Sequence, residues 1–122
     1  MIQATLVAGA DATQREQTIA AELDPALRNA VILEGLPGPG ARLQSGTNLE
    51  VMRIAAGCPC CEGGLVMRTT LNRLLRSRPD RLYIGLAIVA HLPALRAFLS
   101  APPYSGLLQL TKDLLPGSRS QQ

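Results

Sequence analysis

The sequence has no tryptophan, one phenylalanine (Phe98) and two tyrosines (Tyr83 and Tyr104). Single-stranded nucleic acid is held largely by bases stacked on aromatic side chains, so that kind of surface has almost nothing to be built from. Lysine is equally scarce, Lys112 standing alone among arginines, and a net charge of +3 is too small an excess to attract a polyanion by itself. No apolar stretch approaches the roughly 20 residues that cross a bilayer. The amino-terminal residues MIQAT lack the basic segment and apolar run of a secretory signal. These absences predict a cytoplasmic protein with neither a nucleic-acid nor a membrane partner.

What is present is one core's worth of apolar residues: 122 residues, 47% hydrophobic and 17% charged. Residues 3–9 (QATLVAG) read as a buried strand ending at glycine, and residues 13–23 as a helix. The helix start is placed at Thr13, with Glu16 completing an S/T-x-x-E capping box. A second buried strand covers 29–34, and residues 35–40 (GLPGPG) form a loop that neither helix nor strand tolerates, read as a mobile segment. Residues 49–55 alternate apolar and polar as a strand less well covered on one face. Residues 65–77 make an amphipathic helix with Val66, Met67, Thr70, Leu71, Leu74 and Leu75 on one side and Arg68, Asn72, Arg73 and Arg76 on the other. Residues 81–87 read as a third buried strand, 91–100 as a short helix and 106–110 as a last strand. Alternation at this spacing implies parallel strands joined by helical crossovers and covered on both faces. The expected fold is α/β, a three-layer sandwich on a mainly parallel sheet of about five strands. One domain is expected over 1–115, with a disordered tail at 116–122.

The chemistry concentrates at Cys58, Cys60 and Cys61, three thiols within four residues between a strand and an arginine-rich helix. An odd, clustered set is not a secreted disulfide framework, whereas Zn²⁺ and Cu(I) accept several soft ligands from one turn. A helix N-terminus and nearby Arg68 lower thiol pKa values, favouring the thiolate. A tetrahedral site needs a fourth donor, for which the candidates are Glu62, His91, Glu34, water or a residue of a second chain. Cys58 and Cys61 also have the C-x-x-C spacing of a redox pair, and buried cysteine can be simple packing. The arginine stripe of Arg68, Arg73, Arg76, Arg78 and Arg81 reads as a solvated helix face.

The order strand, glycine-ended turn, helix, strand, Gly57-Cys58-Pro59-Cys60-Cys61, helix and strand resembles the nucleotide-binding domain of the CobW family of metal-chaperone GTPases, over about residues 2–110. The resemblance implies a P-loop NTPase-like fold and a GCxCC motif that binds zinc or cobalt. The family's phosphate loop, G-x-x-x-x-G-K-[ST], falls on Gly9-Ala10-Asp11-Ala12-Thr13-Gln14-Arg15-Glu16, where only the first glycine survives. Arg15 stands in place of the phosphate-binding lysine and Glu16 in place of the magnesium-binding hydroxyl. The family's acidic residue at the end of the next strand is Gly85, and no N-K-x-D motif is found.

The expectation is therefore a truncated pseudo-GTPase with Zn²⁺ or Co²⁺ on Cys58, Cys60 and Cys61 and no nucleotide turnover. GTP would touch Gly9 and Arg15 only if binding survives. The alternatives are a residual GTPase, or an interaction module that forms a homodimer or pairs with an intact CobW-like protein.

Overall fold

A computed structural model describes residues 1–40, 43–56 and 62–116. Five strands, β1 (Ile2–Ala8), β2 (Asn29–Glu34), β3 (Leu49–Ile54), β4 (Arg81–Leu86) and β5 (Leu108–Leu110), form one sheet in the order β3-β2-β4-β1-β5. Every pairing between them is parallel. Helices α1 (Ala12–Glu22), α2 (Glu62–Leu75) and α3 (Leu92–Leu99) make the connections after β1, β3 and β4.

The period-2 alternation of each strand divides the core in two. Ala4, Leu6, Ala30, Ile32, Leu82 and Ile84 face α2 and α3, meeting Met67, Leu71, Leu74, Leu95 and Leu99. The intervening Val7, Val31, Leu33 and Tyr83 face the other way, toward Ile19 of α1. Both faces are covered, which is why β1, β2 and β4 read as nearly continuous apolar runs. The three-layer α/β fold with a parallel five-stranded sheet is thus as expected. One placement differs: Val66 is 45% exposed while Met67 is buried, so the apolar stripe of α2 is narrower than its sequence implies.

Neighbouring strands β1 and β4 send their helices to opposite faces, α1 to one and α3 to the other. In open α/β sheets the crevice for a ligand opens at the carboxyl ends of two strands that diverge in this way. Among the described residues, no helix is long and apolar enough to cross a membrane.

Candidate functional site

At the carboxyl end of β1 the chain turns through Gly9 (φ 94°) and Ala10 (φ 56°) into α1. Glycine is needed at the first position on two grounds. The positive φ favours it, and a Cβ there would come within 3.3 Å of the Pro116 carbonyl oxygen. Pro116 is brought there because the chain beyond β5 runs on beside β1, with the Ala8 amide donating to the Leu114 carbonyl over 3.1 Å.

The helix start corrects the expected capping box. Asp11, in extended conformation, is the N-cap, and its carboxylate accepts from the Gln14 amide at 2.8 Å. Thr13 therefore lies inside the first turn, where it cannot cap, and its hydroxyl donates to the Pro39 carbonyl at 3.0 Å. Glu16 does not reach back to a cap residue. It is 4% exposed and accepts from the Leu43 amide at 2.6 Å and from the Arg53 guanidinium at 2.9 Å.

Arg15, only 7% exposed, folds back over the turn. Its Nη1 donates to the carbonyl oxygens of Gly9 (3.2 Å) and Ala10 (2.8 Å). Beneath it lies Gly85 of β4, where a Cβ would stand 3.1 Å from Leu33 Cδ2 and 3.5 Å from Ile19 Cδ1. From above, the GLPGPG loop is seated on α1: a Cβ on Gly38 would stand 3.0 Å from the Thr13 amide nitrogen. Read from sequence as a mobile segment, this loop has a partner in the fold because α1 offers the Thr13 hydroxyl and a small Ala12. What remains between Arg15, Glu16, Glu34, Arg53 and Gly85 is a cavity of about 10 Å³.

Cys58, Cys60 and Cys61 lie outside the described residues, which hold no other group of three or more His, Cys, Asp or Glu placed to hold a metal. The candidate fourth ligands lie on different elements. Glu34, 5% exposed, ends β2 in register with Ile54 of β3 and accepts a long 3.4 Å hydrogen bond from the Ala87 amide. His91 stands at the N-cap of α3 with a buried Nδ1 that has no hydrogen-bond partner among the described residues. Glu62 opens α2. Of the arginine stripe, Arg68 is engaged over the Phe98 ring at 5.6 Å, and Arg73, Arg76 and Arg78 are exposed. Sequence reading missed Arg53, which looks like one outward residue of an alternating strand, and Asp11 as cap, although D-x-x-Q ahead of the helix was its signal.

Over 97 residues, 77% of the chain, the sequence is 34% identical to the zinc chaperone YeiR of Escherichia coli (strain K12). The match takes in 30% of that protein, so the chain spans well under half the length of this relative. The similarity supports the CobW-like reading of the sequence. No family profile and no solved structure matches the chain.

Proposed function

We propose that this chain is a CobW-like cytoplasmic zinc-binding protein that buffers, delivers or senses metal through the thiolates of Cys58, Cys60 and Cys61, and that it turns over no nucleotide. The observation that carries the metal half is the similarity to a zinc chaperone in a chain with three thiols in four positions. Each thiol that ligates Zn²⁺ gives up its proton, so uptake is favoured as pH rises and release as it falls. Glu34 is a reasonable fourth donor because it lies at the carboxyl end of β2, level with the strand that leads into the motif.

The nucleotide half is supported by the state of the phosphate loop. Arg15 directs Nη1 to the carbonyls of its own turn, Glu16 holds a carboxylate where the family pattern has a magnesium-binding hydroxyl, and Gly85 offers no acid.

The deciding experiment is the metal content of protein purified under reducing conditions, by inductively coupled plasma mass spectrometry, followed by stripping and retitration with Zn²⁺. Near one zinc per chain or per two chains, lost in the Cys58→Ser, Cys60→Ser, Cys61→Ser triple variant, is expected. Retention by that variant, or no uptake by the parent, removes the metal reading.

A second reading, an interaction module pairing with a copy of itself or an intact relative, is favoured by apolar side chains at the carboxyl end of the sheet. Leu36 is 88% exposed, Leu65 63% and Val89 52%. Co-purification with no metal requirement would select it.

A further inference from the structure

The two edges of the sheet are finished differently. At one edge β3 bonds to β2 through alternate residues, the Asn48 carbonyl accepting from Asn29 at 2.8 Å and the Ile54 carbonyl from Gly35 at 2.9 Å. The backbone groups of Leu49, Val51 and Arg53 therefore point away from β2. The loop ahead of β3 doubles back over the first two of these. Gly46 and Leu49 exchange backbone bonds of 2.8 and 3.2 Å around a turn that carries Asn48 at φ 62°. The Ser45 hydroxyl accepts from the Val51 amide at 2.9 Å and donates to the Val51 carbonyl at 3.4 Å. An open edge strand is a template for pairing with another chain, and a strap of this kind closes it.

The opposite edge has no such strap among the described residues. The Ile2 amide donates to the Leu107 carbonyl at 3.0 Å and the Thr111 amide to the Ala4 carbonyl at 2.9 Å, with Gln109 level with Gln3 between them. β5 thus turns Leu107, Gln109 and Thr111 toward β1, and the amides and carbonyls of Leu108 and Leu110 point outward. No described group bonds to them. The run Leu107-Leu108-Gln109-Leu110 holds neither charge nor proline, the usual guards of an edge, and Leu107 is exposed. Beside it, between β5 and α3, opens a recess of about 280 Å³ lined in part by Leu99, Leu108 and Leu110.

The spacing of the bare groups is self-complementary. When two copies of β5 run antiparallel about a two-fold axis at Gln109, Leu108 of each copy stands opposite Leu110 of the other. Opposed residues that both point across the gap exchange both backbone bonds, so every outward group finds a partner. The side chains of Leu108 and Leu110 face the α3 layer, and the same register lays those of the two copies side by side there.

We infer that the β5 edge is a self-association surface, at which the sheet continues into that of a second copy by antiparallel pairing about Gln109. The strap on β3 selects the edge, since it closes one side of the sheet to strand addition and leaves the other open. The inference deepens the interaction reading above, on which it rests for the kind of partner, and it is independent of zinc.

The test is sedimentation equilibrium of the full chain with a chelator present, so that metal cannot bridge copies. A concentration-dependent dimer is expected. Gln109 is exposed, so substitutions there spare the core of the monomer. Gln109→Glu and Gln109→Lys each set like charges opposite one another across the axis and should weaken the dimer about fivefold, the upper end for a cross-strand pair. An equimolar mixture of the two should recover association, which a merely destabilised fold would not do. Residues opposed at a non-hydrogen-bonded position lie about 4.5 Å apart between Cα atoms, within reach of a disulfide. In the Cys58→Ser, Cys60→Ser, Cys61→Ser background, Gln109→Cys should therefore cross-link under oxidised glutathione, while Gln17→Cys, exposed on α1, should not. A dimer indifferent to both charges and not cross-linked through Gln109→Cys would overturn the β5 edge and leave the interaction reading standing. A monomer at every concentration, with no cross-link, would overturn self-pairing altogether.

Discussion

Arg15 Nη1 donates to the Ala10 carbonyl oxygen across 2.8 Å, placing a buried guanidinium in the turn that, in a phosphate-binding loop, presents amides to an anion. The turn's carbonyls of Gly9 and Ala10 face an internal cation, and both are satisfied by one side chain.

Isothermal titration with GTP and Mg²⁺ should therefore show no binding. Arg15→Ala should leave it absent, because Glu16 still places a carboxylate at the same site. The substitution should cost about 1.5–3 kcal/mol of stability in urea titration, the range for hydrogen bonds made by a charged donor. Micromolar GTP binding that Arg15→Ala abolishes would reinstate a residual GTPase.

Restoring the acid of the family pattern should fail in the same way. Gly85 leaves room for Leu33 and Ile19 to close against β4. Gly85→Ala should cost about 1–3 kcal/mol by overpacking, and Gly85→Asp about 3–5 kcal/mol as an uncompensated buried carboxylate. Chemical denaturation ranks the two, and a Gly85→Asp protein as stable as the parent that binds Mg²⁺ would show that the space can open.

Legibility tracked how local the physics is. β2 spans Asn29–Glu34 as read, because four consecutive apolar residues buried on both faces announce themselves without knowledge of their partners. The start of α1 was displaced by a motif with two fits: D-x-x-Q and T-x-x-E overlap from Asp11 to Glu16, and only the earlier aspartate meets an amide. Arg15 and Glu16 were legible as departures from the phosphate-loop pattern. What they do was half legible, since Arg15 bonds carbonyls five and six residues away, whereas Glu16 finds its partners 27 and 37 residues along the chain. Long-range pairing of that sort leaves no periodicity to read. The cysteine motif was the plainest chemical signal in the sequence, and it lies outside the described residues.

Arg78 gives a stability prediction with the opposite sign. It follows α2 at φ 50°, its amide donating to the Leu75 carbonyl over 3.1 Å, and its side chain is exposed. This is the left-handed residue after a helix, a position that favours glycine. Arg78→Gly should stabilise the fold by about 1 kcal/mol, while Arg78→Ala should gain nothing because it keeps the Cβ penalty. A lower urea midpoint for Arg78→Gly would mean that the arginine side chain supplies a contact outweighing its backbone strain.

Tyr104 sets an alkaline limit. Its ring packs on Phe98 with centroids 5.2 Å apart, and its hydroxyl donates to Asn72 Oδ1 at 2.8 Å. Burial pushes the phenol above its ordinary range, opposed by the charge of Arg68. A raised folded-state value means that the neutral phenol is the form the fold prefers. The contribution is complete below the unfolded value of about 10 and is lost as pH rises through the folded one. Urea midpoints should accordingly be insensitive to this group from neutral pH to about 9.5 and should fall above about 10. Tyr104→Phe should lower the midpoint at neutral pH, because the bond to Asn72 is gone, and should flatten the alkaline decline, because no phenolate can form there. An alkaline decline as steep in Tyr104→Phe as in the parent would assign the transition to another group.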